Sequence, residues 1–582
     1  MFLDQRFIQS IKVFALQNAV EHNGRAKVDS VIGKVAASNP EFRSNLKDII
    51  PIISEIVLEV NSLSLADQRL LLDRLKDSTI PHKINSAEAL HGASSHMLPE
   101  LQNASHGKVI TRFPPEPNGY PHIGHAKAVI IDEYYARKYG GQLILRFDDT
   151  NPINEKPEYY ESFILALQWL DVRPDIIKNT SDDIETLYWY GKKLVLDGHG
   201  YVCTCNQKTI HELRSAGAEC ACRTNRQYAA GRVDEFFEGK FEQNEAIIRY
   251  KGSMSDLNTA MRDPTLFRII KGHHPRLGDK YEIWPTYDFA APIEDSLDGV
   301  THAFRTKEYE LRNALYFAIL ERLGLRKPIM IEFSRLEFKG LPVSKRKIKP
   351  LIESGILKSW DDPRLPTLAA MKRRGFVPEA IRKFVLSLGL TLAETKPPFE
   401  SLEAFNRKII EPTSIRIFFV KDPVEVIILG TLPREIILKN HPNLDLGSRN
   451  VLVRDVVYIS MDDAINLKPG NEIRLIELYN IRINEIRKDG KRLTAVGSYS
   501  GDEIKADLVK IQWVAKNDAH ALEILVPKEL FKGDNYNAES LQVWKGVCES
   551  YFARLKPDSK VQFVRVGFCR IDHSGLAIYT HR

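Results

Sequence analysis

Two common nucleotide-binding fingerprints are missing from this 582-residue sequence. It contains neither GxGxxG nor GxxxxGK followed by Ser or Thr, which excludes a dinucleotide-type glycine turn and a phosphate loop as the means of holding a nucleotide. Cysteine is sparse. Six in the whole chain make no disulfide framework at this length, so a reducing cytoplasm is the expected location. No apolar run approaches a membrane span, and Asp4, Arg6 and Lys12 break up residues 1–20, where a signal peptide needs an uninterrupted apolar core. An excess of one charge is lacking too: 82 basic and 76 acidic residues leave +6, compatible with a nucleic-acid partner but too mild to argue for one. What remains is ordinary globular text, 43% hydrophobic and 27% charged. It is long enough for roughly three to five domains.

The chain is organised around Thr111–Ala128, TRFPPEPNGYPHIGHAKA. Val109 and Ile110 predict a buried strand, Pro114, Pro115 and Pro117 stiffen the loop after it, and a helical pattern begins near His122. Gly119 and Gly124 remove side chains where a flat ligand could approach the backbone. His122 and His125, spaced i,i+3 on the first turn, face one side of a helix N-terminus, a place that favours an anion such as phosphate. Gly140 and Gly141 stop the helix, and Gln142–Phe147 predicts the next strand. Such a βαβ start belongs to a parallel sheet with its ligand at the strands' carboxyl ends, where His122 and Asp148 both fall.

Other stretches set the expected domain plan. Residues 1–95 carry apolar positions at helical spacing (Phe7, Ile8, Ile11, Phe14; then Ile49, Ile53, Ile56, Val60), with a capping-box-like Ser64–Asp67 before a leucine run. This predicts a helical appendage that docks a protein or tRNA or braces the core, followed by a linker over 96–107. Cys203 and Cys205, then Cys220 and Cys222, form two CxC pairs, which suit either tetrahedral zinc or a small cysteine-lined core. From about Ile415, short apolar strands alternate with turn signals, Asp489-Gly490 among them, and imply β-barrels.

Taken with LPVSKRK (Leu341–Lys347), the first stretch resembles the HIGH and KMSKS signatures of class I aminoacyl-tRNA synthetases. LRFDDTNP (Leu145–Pro152), the block Tyr287–Thr306 and EFSRL (Glu332–Leu336) are similar to the glutamyl/glutaminyl branch, and the resemblance runs from about residue 108 almost to the end. Val343 stands where the class consensus has Met, an apolar exchange that puts little in doubt.

The resemblance implies a multidomain fold. A Rossmann-like α/β catalytic core occupies 108–200 and 279–349, interrupted by an acceptor-end-binding insertion at 201–278. An α-helical stem-contact region at 350–410 and all-β anticodon-binding barrels at 411–582 of the archaeal/eukaryotic glutamyl type follow. The basic segment Lys372–Phe384 is expected to touch tRNA backbone.

The implied activity is ATP- and Mg2+-dependent activation of L-glutamate and transfer to tRNA(Glu), or to tRNA(Gln) as well. By the same resemblance His122, His125, Lys345 and Lys347 are catalytic. Glu116, Pro117, Asn118, Gly124, Thr306, Arg335, Leu336 and Ser344 surround ATP, and Cys203, Cys205, Cys220 and Cys222 hold a structural zinc. Arg112, Asp148, Tyr287 and Arg305 take glutamate. Arg305 occupies a position that is typically cysteine in glutaminyl enzymes, and Met330 one that is usually glutamine; both point to glutamate, unless Arg305 pairs with Asp295, Asp298 or Glu308. The rival readings are a glutaminyl enzyme and a noncatalytic tRNA-binding scaffold.

Overall fold

The computed structural model describes residues 5–21, 24–38, 46–65, 67–68, 71–72, 98–224, 226–394, 396–490 and 492–582. Contacts divide the chain into two compact units that part after Ser95. Among its described residues the first holds the helices Gln5–Glu21, Val28–Ser38 and Leu46–Asn61 around a core that includes Ile11, Leu16, Val31, Ile53 and Val60. The apolar stripe Ile49, Ile53, Ile56 and Val60 faces inward. Ser64 Oγ accepts the Asp67 amide at 3.2 Å, as the capping pattern requires. Leu70 and Leu75 of the leucine run lie outside the described residues.

In the second unit, residues 98–107 are not the expected linker. Leu98 and Leu101 are buried in the catalytic core, Tyr135 Oη donates to the Pro99 carbonyl (2.8 Å), and Tyr139 Oη accepts the Leu101 amide (2.9 Å). Small and polar residues hid these two leucine anchors. Three parallel strands follow, Ile110–Phe113, Gln142–Phe147 and Ile176–Asn179, and a second parallel pair comprises His302–Thr306 and Ile329–Phe333. The Thr301 amide donates to the Ile110 carbonyl at 2.9 Å and sets the pair beside the first strand. The strand order is therefore 3-2-1-4-5, a doubly wound arrangement whose switch point lies between the first and fourth strands.

Between the two halves stands a four-stranded antiparallel sheet, Gly200–Cys203, Ile247–Tyr250, Thr265–Ile269 and Ile283–Pro285. Its last strand extends past the Gly278 boundary read from the sequence. The helices Leu368–Arg374, Pro378–Leu388 and Phe399–Ile410 then pack on the core. Here the basic segment is largely engaged within the chain: Arg373 pairs with Asp572 (2.9 Å), Arg374 with Glu403 (2.9 Å) and Arg382 with Glu133 (2.6 Å). Those three arginines fasten helices and barrel together, which a charge count alone does not reveal.

Among the described residues the β region consists of two seven-stranded sheets, nested rather than consecutive, and two two-stranded hairpins. One contains Ile415–Ile417 and Phe419–Lys421 together with all its remaining strands from Ala519 to His581; the other takes its strands from Pro423 to Ala515 and is inserted into the first. The outer barrel extends a hairpin, Phe531–Lys532 with Asn535–Tyr536, back to the catalytic core. Leu530 is fully buried there, and the Phe531 amide donates to the Gly340 carbonyl at 3.1 Å, just ahead of the LPVSKRK segment. Leu530→Ala should cost about 2–5 kcal/mol through lost burial and the cavity it leaves. The urea midpoint followed by tryptophan fluorescence should fall accordingly; an unchanged midpoint would show that the hairpin does not brace the core.

Candidate active site

A cavity of about 680 Å³ opens at the carboxyl ends of the parallel strands. Arg112, Asp148, Tyr287 and Arg305 all line it, as do Glu116, Asn118, His125 and Thr306. Its floor is a buried ion network. Arg112 Nε donates to both Asp295 oxygens (3.0 and 3.1 Å) and its Nη1 donates to the Phe304 carbonyl (2.7 Å). Arg146 reaches Asp148, Asp295 and Asp298, each at 2.9 Å, and Lys178 joins Asp298 (2.7 Å) to Glu294 (2.9 Å). Burial opposes ionisation of Asp295, yet Arg112 and Arg146 outweigh it and hold its carboxyl below the usual range. Burial pushes Asp148 up, against the pull of Arg146. Asp148 Oδ2 is buried without a partner, an acceptor on the cavity wall.

Arg305 meets none of the three carboxylates that could have neutralised it. Asp295 and Asp298 belong to the floor network, and Glu308 pairs with Arg335 at 2.7 Å. Arg305 Nη1 donates to Asn313 Oδ1 (3.0 Å), its Nε is buried unpartnered, and its guanidinium lies 5.4, 4.9 and 5.4 Å from the ring centres of Tyr287, Tyr309 and Tyr316. Among the described residues it makes no ion pair, although it is only 5% exposed.

His122 caps the helix Ile123–Lys138. Its Nδ1 accepts the Gly124 amide (3.1 Å), and His125 Nδ1 accepts the His122 amide (3.2 Å). With both Nδ1 atoms accepting, a neutral ring carries its proton on Nε2. The rings stack with centroids 3.9 Å apart. Burial first, and then the nearby Arg335 charge, lowers His125 to about 4; burial, His125 and Arg335 lower His122 well below its usual value. Gly124 is required here, since a Cβ would sit 2.9 Å from the His122 ring.

Lys345 opens the helix Lys345–Glu353, with Ser344 as its cap. Its Nζ donates to the Asn118 carbonyl, and its stem lies 3.8 Å from where a Gly119 Cβ would stand. Lys347 instead pairs with Asp534 of the barrel hairpin at 2.8 Å, away from the histidines. Pro117 and Leu336 are buried behind the lining. Arg146, Lys127 and Tyr309 were missed by sequence reading; the available signal for Arg146 was a charged residue inside the apolar strand QLILRF.

In the insertion, the four Sγ atoms of Cys203, Cys205, Cys220 and Cys222 lie within 4.8 Å of one another. Cys203–Cys220 and Cys205–Cys222 are 3.9 and 3.8 Å apart. The edge of a tetrahedron with zinc–sulfur bonds of about 2.3 Å is about 3.8 Å, so the donor set fits that ion.

Comparison with known proteins agrees with this architecture. The family model for class I tRNA synthetases (E and Q), catalytic domain, matches residues 108–412, and two models for the anticodon-binding domain of the same group match 414–500 and 510–572. The chain is 46% identical to a glutamate–tRNA ligase of Cenarchaeum symbiosum over 97% of its length and 98% of that protein, and 46% identical to one of Nitrosopumilus maritimus over 100% of both. The corresponding figures for Pyrococcus abyssi are 38%, 98% and 98%. With three models matched in order and full-length relatives on either side of 40% identity, the chain belongs to the glutamyl and glutaminyl class I tRNA synthetases.

Proposed function

We propose that the chain is a glutamate–tRNA ligase: with ATP and Mg2+ it forms glutamyl-adenylate and transfers the glutamyl group to the 3′ end of tRNA(Glu). The observation that carries the choice of amino acid is Arg305, a buried guanidinium on the cavity wall with no carboxylate partner among the described residues. A substrate side-chain carboxylate completes that pair, whereas a glutamine amide leaves the charge uncompensated. Asp148 Oδ2 accepts from the substrate ammonium group, and Arg112 and Tyr287 flank the side chain. The α-carboxylate then attacks the α-phosphorus of ATP and pyrophosphate departs; the ribose hydroxyl of the terminal adenosine next attacks the acyl carbon and releases AMP. His122 and His125 donate from Nε2 to phosphate oxygens as charge builds, and Lys345 supplies the positive charge on the pyrophosphate side. Glu116, Asn118 and Thr306 line the nucleotide end of the cavity, with Arg335 and Leu336 beside the adenosine. The four cysteines hold a structural zinc that closes the insertion's strand end onto its following turn.

Aminoacylation of tRNA(Glu) and tRNA(Gln) with labelled glutamate and glutamine tests the reading. Native protein should charge tRNA(Glu) with glutamate, and Arg305→Cys should lose about tenfold or more in kcat/KM for glutamate. Glutamine charging by the native protein would overturn the assignment, and glutamate on tRNA(Gln) would make the enzyme nondiscriminating.

Elemental analysis should find about one zinc per chain, absent in Cys220→Ser. A zinc-free native protein with all four thiols reactive sinks the metal site.

The histidine arrangement has its own pH signature. An unfolded imidazole binds its proton near 6.5 and folded His125 near 4, so between them the unfolded chain holds more protons. The stability tied to a neutral His125 is complete above about 6.5 and is lost as pH falls toward 4. His125→Asn should therefore lose less stability than native between pH 7 and 4.5, by on the order of 2 kcal/mol in urea unfolding. Equal losses would mean that His125 is not held neutral.

A further inference from the structure

The signature helix contains a buried cation that the proposed chemistry does not use. Lys127 is 1% exposed on the second turn of Ile123–Lys138. Its Nζ donates to the Ser334 carbonyl (2.5 Å) and Oγ (3.1 Å) and lies 5.4 Å from the centre of the Phe333 ring. Three residues earlier on the same face, the bare backbone of Gly124 meets the next grip point, since its Cβ position is 3.5 Å from the Leu336 carbonyl oxygen. Positions 124 and 127 thus grasp residues 336 and 334. Between them Arg335 turns outward to Glu308, close enough to act electrostatically on both histidines. Ser334 is held from behind as well, its amide donating to the Thr391 carbonyl at 2.7 Å.

We propose that Lys127 is a positioning residue for ATP: by clamping Ser334–Leu336 onto the signature helix, it fixes the distance between the adenosine contacts at 335–336 and the phosphate donors His122 and His125. The proposal rests on the reading of the cavity as an ATP site. On that reading one ligand touches both the helix start and the 335–336 segment, and two grips, at 124 and 127, join that segment to the helix beside the packing of Leu336 in the same apolar core. One of those grips is a close approach to glycine, which supplies no bond. The lysine supplies the directional, charge-assisted one. A segment freed at Ser334 can still fold against the sheet through Thr391, but it no longer sets the base against the phosphates.

The test is a KM-against-kcat split on Lys127→Met and Lys127→Arg, with ATP affinity measured separately by calorimetry. Lys127→Met should weaken ATP binding and raise the KM for ATP by about tenfold, while the KM for glutamate stays within about twofold. Lys127→Arg, which keeps the charge and the donors, should recover most of the loss. Ser334→Ala removes only the hydroxyl contact and should raise the KM for ATP about two- to threefold. Unchanged ATP affinity in a folded Lys127→Met protein overturns the proposal, as does an equal change in both KM values, which would mark the lysine as packing alone. If Lys127→Met does not fold, the Lys127→Gln and Ser334→Ala proteins decide by the same split. Native protein that binds ATP but charges no glutamate would defeat the functional reading while leaving the clamp testable by calorimetry.

Discussion

Asp295 is the point on which the catalytic half depends. Two guanidiniums from neighbouring parallel strands, Arg112 and Arg146, converge on one carboxylate with no exposure to solvent, and the Tyr316 hydroxyl donates to it as well at 2.8 Å. Single buried charges at such depth are prohibitive, and even a pair recovers its desolvation only with good geometry and further hydrogen bonds. The network meets that condition by spanning the first, second and third strands and the helix Tyr287–Leu297, so none of these can shift without exposing a charge. Arg112 and Asp148 therefore enter the cavity already aimed. Arg305, one strand farther along, is left outside the neutralised set, and on the proposed reading this asymmetry is what selects an anionic side chain.

The same principle governs the joints farther along the chain. Arg374 is buried beneath the barrel, where it pairs with Glu403, donates to the Thr580 carbonyl at 3.1 Å and stacks 4.7 Å from the centre of Phe399. The barrel's hairpin then places Leu530 in the catalytic core and Asp534 on Lys347. Helical region and barrel thus share buried residues with the core instead of hanging from linkers. The nesting of one barrel inside the other returns the chain's last strand, Leu576–His581, to the helices, where Asn406 meets His581 at 3.0 Å.

Local patterns with a single physical cause were legible in the sequence. The proline loop, the histidine pair at a helix start, the glycine stop and the paired cysteines each follow from short-range geometry, and in the structure they stand where that geometry puts them. Pairings between residues distant in sequence were not legible. Nothing local tells that Arg112 meets Asp295 across 183 positions, or that Arg373, Arg374 and Arg382 face carboxylates of their own chain. Residues 98–107 looked like linker because polarity was counted, while Leu98 and Leu101 anchor them. Lys127 was hidden for the converse reason: a lysine in a helix is usually solvated, and only the fold shows that its amine is enclosed.

The two histidines and the unpaired arginine divide the electrostatic work by depth. Neutral imidazoles whose Nδ1 atoms are occupied by the backbone can only donate from Nε2, and on the proposed reading they meet phosphate oxygens without adding positive charge where burial would expel it. The surroundings of Arg305, three tyrosine rings and one amide, soften its charge without cancelling it. On the proposed reading, glutamate is preferred less for any contact that glutamine lacks than for the state in which glutamine would leave the protein. The amide has nearly the right shape, but it closes the cavity over a cation that has neither water nor a counterion. Shape admits both amino acids, and the unbalanced charge selects between them.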